Sequence, residues 1–276
     1  MSRRLGEAVH FLVVPVPGDA KSPPLMKPQV ALQLYTVRDL IAKTNYADIV
    51  KEIAAMGYAG VEPAGFPGTT PQAAAKLFRD LGLIVCGIHS PPPIGEKKTE
   101  VLDTAAVLGC QRLVTGKGPA DFKTRDLIHK SCEEFNRASQ AARENGLTLS
   151  IHNHWWEFQS VDGRPVYEWL LEDLDKQVLF EIDVYWVKTG GCDPAKVVKQ
   201  LAARSPLQHI KDGPCRQGEP MTAVGDGTVD FPAIAKVSKA EWWIVELDEC
   251  ATEMMEAVRK SYRYLTTKGF VRGKKN

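Results

Sequence analysis

The chain has 276 residues, of which 44% are hydrophobic and 25% are charged, the composition of an ordinary globular protein. Its 35 Lys and Arg residues balance its 34 Asp and Glu residues, which excludes the strongly basic surface of a non-specific nucleic-acid binder. No apolar run reaches the roughly 18 residues that a membrane-spanning helix needs, so we expect neither nucleic acid nor a membrane as a partner.

Three segments are predicted along the chain. Residues 1–28 are expected to be a disordered extension, native or added for expression, because His10 and Pro15 interrupt a run that faintly resembles a signal peptide. Residues 29–268 form the folded domain, and residues 269–276 form a basic tail. The six cysteines include no CxxC pair, so reduced thiols and a cytoplasmic location are favoured over secretion or the periplasm.

Short apolar strands alternate with helices throughout the folded domain. Helices are predicted at 46–56, 71–81, 124–145 and 251–267, and strands at 30–35, 60–63, 83–89, 112–115, 147–152, 178–183, 207–211 and 243–247. Eight such units in about 245 residues predict an α/β fold, a single-domain (β/α)8 TIM barrel. The rival, a doubly wound open sheet, usually has a glycine-rich turn after its first strand, and Tyr35-Thr36-Val37-Arg38 is not one.

Ionisable residues end four consecutive predicted strands, where a barrel of this kind places its active site. We name the following set the strand-end cluster: His152, Asp183, His209 and Glu246. Neighbouring strands lie roughly 4.8 Å apart, so these side chains can converge on one point. Two imidazoles and two carboxylates suit one divalent ion, Mn, Fe, Co or Zn, with Mg less favoured by nitrogen ligands. The alternative is that each is a structural polar residue at a strand end.

Further residues near the strand ends are candidates for binding or catalysis. Glu62 and His89, which end strands two and three, are expected to contact substrate. His154 is expected to contact substrate or to replace His152 as a ligand, and Trp186 to line the pocket or the core.

Three charged residues lie just beyond strands five and seven. Glu157, among aromatic residues that suggest a sugar-binding wall, is a candidate catalytic carboxylate or a solvated loop residue. Lys211 and Asp212 are either a catalytic and a substrate-binding residue or a local ion pair.

At these residues the sequence resembles the xylose-isomerase-like barrel superfamily, which includes sugar phosphate isomerases/epimerases and endonuclease IV. The resemblance covers about residues 29–268 and is carried by five segments: 151–154 with Glu157-Phe158, 180–186, 209–212, 225–231, and Val245-Glu246. It implies a divalent metal ion held by residues that end strands five to eight, which is the strand-end cluster.

Two departures from this superfamily bear on the reaction. The best-known epimerases have a glutamate where His152 ends strand five, and usually a histidine where Trp186 stands. Of their two catalytic glutamates only Glu246 remains, which disfavours a symmetric two-base epimerisation unless Glu157 or His154 substitutes. Endonuclease IV would need further histidines, one of them at Thr115, so DNA repair is disfavoured.

These features lead to a hypothesis of a metal-dependent sugar isomerase/epimerase (EC class 5) of carbohydrate metabolism, acting on a small sugar or keto-sugar through an enediolate. Glu246 is the first choice of base and Glu157 the second, while Lys211 or His89 would donate a hydrogen bond to the oxyanion. Alternatives are a keto-glycoside lyase or hydrolase, a sugar dehydratase, a phosphate or amide hydrolase, and a non-catalytic sugar-binding barrel. The glycine-bearing loop 213–227 could bind phosphate or act as a lid, and a homo-oligomer stays open.

Overall fold

The computed structural model describes residues 27–274, and their main sheet is entirely parallel. Residues 1–26 of the predicted N-terminal extension lie outside the described residues. The eight strands of this sheet begin and end within one or two residues of the predicted bounds. They are β1 (Gln29–Gln33), β2 (Gly60–Glu62), β3 in two segments (Ile84–Val85 and Ile88–His89), β4 (Arg112–Thr115), β5 (Thr148–His152), β6 (Leu179–Asp183), β7 (Leu207–Ile210) and β8 (Trp242–Val245).

Within residues 27–274, ten α-helices surround this sheet. They are α1 (Arg38–Lys43), α2 (Tyr46–Met56), α3 (Pro71–Asp80), α4 (Lys98–Leu108), α5 (Arg125–Glu144), α6 (Val166–Asp173), α7 (Val184–Thr189), α8 (Pro194–Leu201), α9 (Phe231–Val237) and α10 (Met254–Thr267). Within residues 27–274 none of the helices combines the length and the apolar character needed to cross a bilayer. The predicted TIM barrel is confirmed as the fold of this chain.

The helices begin and end at residues whose chemistry marks a boundary. Asn45, Thr70 and Thr124 each precede a helix, and their side-chain oxygens accept the backbone N–H three residues on, which would otherwise lack a partner. Gly57 ends α2 with φ +101°, a left-handed conformation that costs glycine little. These local signals explain why α2 has the predicted bounds 46–56.

The barrel closes through β3. The sheet runs in the order first segment of β3, β2, β1, β8, β7, β6, β5, β4 and second segment of β3, so its two edges are halves of one strand. The strand is interrupted at Gly87, where an added Cβ would collide with the Glu62 carboxylate, which points into the barrel. A glycine is therefore required at 87 for Glu62 to occupy its position.

Inward-facing residues form an apolar layer below a polar one. Ala31, Val114, Leu207, Trp242 and Ile244 belong to a small buried cluster contributed by β1, β4, β7 and β8. Because side chains alternate along a strand, the residue two positions further on also faces inward, and in β1, β7 and β8 it is Gln33, His209 and Glu246. The apolar layer thus supports the polar groups at the carboxyl ends of the strands.

Residues 269–274 pack against the start of the barrel rather than forming the predicted tail. The N–H of Arg272 donates to Pro28 O, the N–H of Val30 donates to Arg272 O, and the N–H of Lys274 donates to Gly57 O. The folded domain therefore extends to residue 274.

Asp212 organises the loop that follows β7. Its two carboxylate oxygens accept hydrogen bonds of 2.9–3.1 Å from the backbone N–H groups of Gly213, Gly225, Gly227 and Val229. An added Cβ at Gly227 would collide with this carboxylate. The substrate contact expected of Asp212 does not fit this position, because the loop backbone uses both oxygens.

We expect Asp212→Ala to lower the free energy of unfolding by about 3 kcal/mol, since four backbone N–H groups, two of them in buried hydrogen bonds, lose a charged acceptor. Urea denaturation measures the change. Asp226→Asn is the matched control in the same loop, because Asp226 makes only an exposed ion pair with Lys260 and should change stability by less than about 1 kcal/mol. Equal effects of the two substitutions would contradict this account of the loop.

Candidate functional site

The structure brings the strand-end cluster together at the carboxyl end of the barrel. Each of its four residues is buried, and one potential ligand atom from each lies within 4.8 Å of those of the others. The register explains this convergence: His209 pairs with Asp183 across β6 and β7, and His152 pairs with Glu181 across β5 and β6. Glu246 follows β8 one residue beyond the last registered pair.

Each residue of the cluster keeps one buried side-chain atom that makes no hydrogen bond with the described part of the chain. These atoms are His152 Nδ1, Asp183 Oδ2, His209 Nδ1 and Glu246 Oε2. Glu246 Oε2 lies 2.7 Å from His209 Nδ1, but not with the geometry of a hydrogen bond. Lys211 Nζ forms ion pairs with the oxygens of Asp183 and Glu246, so the histidine nitrogens are the atoms left without a cation or donor. Burial of such atoms is costly, and a divalent cation bound among the four would satisfy them. The donor set therefore fits such an ion.

A carboxylate fixes the orientation of His209. His209 Nε2 lies 2.7 Å from Glu62 Oε2, which also accepts a hydrogen bond of 2.9 Å from the Gln33 amide. If Nε2 carries the proton, Nδ1 keeps its lone pair free for a cation, the arrangement usual for a histidine that ligates metal. The expected substrate contact of Glu62 does not fit, because its carboxylate lies fully buried beneath the cluster.

Burial and neighbouring charges set the protonation of the cluster. Burial, with the nearby histidines, holds the pKa of His152 well below its ordinary value, so the imidazole is neutral. Burial raises the pKa of Asp183 to about 6, against the pull of Lys211. Burial also opposes ionisation of Glu246, but Lys211 and His209 outweigh it and hold the pKa well below normal. At neutral pH the cluster offers two carboxylates and the neutral imidazole of His152. Burial opposes a charge on His209, but Glu181 and Glu246 outweigh it and raise the pKa of His209 well above its ordinary value, so a cation has to displace the proton on Nδ1.

A second group of potential ligands lies beside the first and shares two of its histidines. It consists of His89, His152, Glu181 and His209. His89 Nε2 and His209 Nε2 lie 2.7 and 3.1 Å from Glu181 Oε2. Sequence reasoning missed Glu181, although Glu181 and Asp183 stand two apart on one strand and must face the same side.

Lys211 supplies a buried positive charge next to the cluster. Its Nζ lies 3.2 Å from Asp183 Oδ2 and 2.8 Å from Glu246 Oε2, and it donates hydrogen bonds to both oxygens of Asp248. Burial disfavours the ammonium, but these three carboxylates raise the pKa of Lys211 above its ordinary value. The residue is 1% exposed, yet it lines the cavity above the cluster.

This cavity has a volume of about 510 Å³ and opens at the carboxyl ends of the strands. Its lining includes these predicted residues: His89, His152, His154, Trp186, Lys211 and Glu246. One wall is formed by the rings of His154 and Trp186. Behind them, Trp156 stacks on His154 at 4.1 Å and Trp155 packs on Trp186 at 4.9 Å between centroids. A polar floor with an aromatic wall suits a sugar, whose ring has both polar edges and apolar faces.

Glu157 lies outside this cavity. Its carboxylate accepts a hydrogen bond of 2.8 Å from the His154 N–H, and the residue borders a small apolar pocket beside Phe158 and Phe180. Burial raises the pKa of Glu157 to about 8. The catalytic role expected of Glu157 does not fit this position.

Other residues that line the cavity lie outside the strand ends considered in the sequence. They include Gln33, Tyr35, Arg38 and Asp248. Asp248 follows Glu246 by two residues, so strand alternation could have indicated it. Tyr35 ended the first predicted strand, 30–35, but the strand stops at Gln33 and Tyr35 belongs to a short 3-10 helix. Nothing in the sequence alone indicates Arg38, which begins α1.

Comparisons with solved structures give the same barrel. A sugar phosphate isomerase/epimerase from Parabacteroides distasonis is 26% identical over 94% of this chain and 100% of its own, with a TM-score of 0.76. A probable 3-DHS dehydratase, AsbF, from Bacillus anthracis is 15% identical over 86% of this chain and 98% of its own (TM-score 0.70). An IolI protein with a bound zinc atom is also 15% identical, over 89% and 98% (TM-score 0.66).

A comparison of the sequence with curated proteins finds no match. The sequence profile of the xylose isomerase-like TIM barrel matches residues 50–266, from within α2 to the end of α10. That range is well over half of the chain and contains the whole strand-end cluster. The resemblance seen in the sequence is thereby confirmed: the chain belongs to the xylose isomerase-like TIM barrel family.

Proposed function

We propose that this protein is a divalent-metal-dependent enzyme that moves a proton next to the carbonyl of a small sugar or keto-sugar, in the manner of an isomerase or epimerase. The observation that carries the proposal is the convergence of four buried potential ligand atoms, on two histidines and two carboxylates, within 4.8 Å of one another. The zinc-bound IolI structure and the isomerase/epimerase from P. distasonis support it.

The chemistry follows from the position of two residues at the cavity floor. A bound divalent cation would supply a Lewis acid that polarises the carbonyl of the substrate. Glu246 lines the cavity as a carboxylate and removes the α-proton, which leaves an enediolate. The Lys211 ammonium, paired with Asp183, Glu246 and Asp248, gives up one of these contacts and donates that N–H to the oxygen where negative charge develops.

Returning the proton to the neighbouring carbon gives isomerisation, and returning it to the opposite face gives epimerisation. Epimerisation needs a second acid on the other face, and Glu157 is directed away from the cavity. His154 lines the cavity, but burial lowers its pKa to about 3, so its neutral ring is a poor acid. This favours isomerisation, or elimination of a β-substituent as a second candidate reaction, over two-base epimerisation.

The six free cysteines support a cytoplasmic location.

We expect the purified protein to hold about one Mn, Fe, Co or Zn ion per chain. His152→Ala, Asp183→Ala and His209→Ala should each lose it, since each removes one of the unpartnered donors. Elemental mass spectrometry after purification without chelators or a nickel column measures the content. His129→Ala, which changes an exposed histidine of α5, should keep the ion. A wild-type protein that binds no ion even after reconstitution would refute the proposal.

We expect Lys211→Met to lower kcat by about 10²–10³-fold, because the oxyanion loses its donor. Its affinity for the metal ion should equal or exceed that of the wild type, since a competing positive charge has been removed. Calorimetric titration with Zn²⁺ and turnover of keto-sugars give the two values. Lys76→Met on exposed α3 is the control. If metal affinity and turnover fall together, Lys211 holds the site in shape and does not take part in the reaction.

We expect Glu157→Gln to keep turnover and to change how stability depends on pH. The folded chain holds this proton up to about pH 8, whereas the unfolded chain loses it near 4.5. The folded state therefore binds more protons between these values, and the stability of the wild type falls relative to the variant as pH rises from about 5 to 8. Urea denaturation across this range tests it. A large loss of turnover with metal retained would restore Glu157 as a base.

A further inference from the structure

The second group of potential ligands lies one layer deeper in the barrel than the strand-end cluster. We name it the inner group: His89, His152, Glu181 and His209, with one potential ligand atom from each within 4.8 Å of those of the others. Glu181 stands two residues before Asp183 on β6, which sets the difference in depth. His152 and His209 belong to both sets, whereas Asp183 belongs to the cluster alone. Glu181 and His89 belong to the inner group alone, so substitutions can separate the two sets.

Three imidazole nitrogens surround one oxygen of Glu181. Its Oε2 lies 2.7 Å from His89 Nε2, 3.1 Å from His209 Nε2 and 3.4 Å from His152 Nδ1. His152 Nδ1 and the other oxygen of Glu181, Oε1, are buried and make no hydrogen bond with the described part of the chain. A tetrahedral Zn²⁺ ion with bonds of about 2.0–2.1 Å keeps its ligand atoms roughly 3.3 Å apart. The separations in the inner group are close to this spacing.

Glu62 adds a second negative charge beside the inner group. Its Oε2 lies 2.7 Å from His209 Nε2 and 3.4 Å from His89 Nε2, and its Oε1 makes no hydrogen bond with the described residues. Glu62 and Glu181 are both fully buried. A divalent cation bound here would neutralise the two carboxylates, while the imidazoles bind it as neutral ligands. The inner group therefore matches a divalent ion in charge as well as in spacing.

The inner group leaves no room for a substrate on the ion. Glu181 and His209 are fully buried, and the His89 side chain, 24% exposed at the cavity floor, is the route by which an ion would enter. Four protein ligands close the coordination sphere of a zinc ion, and such closed sites are structural rather than catalytic. An ion held in the inner group would consequently be inactive toward a ligand in the cavity.

We propose that the inner group is a second divalent-cation site and that each chain fills either this site or the strand-end cluster. His209 explains the exclusion, because a neutral imidazole has one nitrogen free for a metal ion: Nδ1 faces the cluster and Nε2 faces the inner group. The inner site is the weaker one. An ion there must replace the hydrogen bonds of 2.7 Å that join His89 to Glu181 and His209 to Glu62, whereas an ion at the cluster leaves both in place.

Asp183→Ala tests this site, because it removes a donor of the cluster and leaves the inner group intact. The variant should be purified without an ion and then bind one Zn²⁺ per chain in a calorimetric titration. Adding His89→Ala or Glu181→Gln should weaken this binding by at least about 10–100-fold, the loss that even an indirect partner of a metal ligand causes. Adding His129→Ala, on exposed α5, should leave the binding unchanged. Asp183→Asn repeats the titration with an oxygen retained to accept the Trp186 N–H.

Co²⁺ bound to Asp183→Ala should show the strong visible absorption of a four-coordinate ion, without the charge-transfer band of a cysteine thiolate. If neither Asp183 variant binds Zn²⁺, if binding survives Glu181→Gln, or if the thiolate band appears, the inner site is overturned. Wild type saturated with Zn²⁺ should hold one ion, and two ions per chain would overturn the exclusion.

The inner site does not rest on the proposed function, since Glu181 and His89 are assigned no step in the proposed reaction. If wild type holds an ion and neither Asp183 variant binds one, only the inner site is wrong. If wild type and Asp183→Ala bind Zn²⁺ equally, and Glu181→Gln abolishes binding in both, the inner site is right and the cluster loses the ion that the proposed function requires.

Discussion

The alternation of side chains along parallel strands is the constraint on which this site depends. In β6, β7 and β8, alternate side chains face the inside of the barrel, so a buried residue and the residue two positions further on face the same way. The second of the two lies at the carboxyl end of the strand. A shift of one residue in β7 would place Ile210 in the site and His209 among the surrounding helices. The apolar layer below the site fixes this register, because Leu207 and Ile244 can face only the interior.

Charge balance is the second requirement. Two fully buried glutamates, Glu62 and Glu181, lie beneath the histidines, and Lys211 stands among three carboxylates. A buried carboxylate is tolerated when cations or donors face it, and each of these faces at least one. The histidines of the cluster are consequently oriented by the layer below them, while the face toward the cavity remains free for ligands.

The sequence was sufficient to predict the barrel and the convergence of His152, Asp183, His209 and Glu246, because both follow from strand periodicity. Residues in loops were harder to predict. Glu157 and Asp212 follow directly on functional strands, yet the backbone N–H groups of their own loops hold both carboxylates. Tyr35 stood at the end of the predicted strand 30–35 but was not considered, because only ionisable strand-end residues were taken as candidates. It lies in a short 3-10 helix, where strand alternation does not indicate which side chains reach the cavity.

Asp212 fastens residues 213, 225, 227 and 229 to the end of the strand that also carries His209. Between these attachment points, Met221 and Thr222 are held by backbone hydrogen bonds to Glu249 and Asp212. The arc of residues 214–220, with Gly218 and Glu219 at the cavity rim, makes none of these bonds. Because this arc is separate from the strand-end cluster, changes in its length and composition can alter substrate preference and leave the cluster unchanged. For protein engineering the arc is the natural segment to randomise, and Asp212 with its glycines is the frame to leave unchanged.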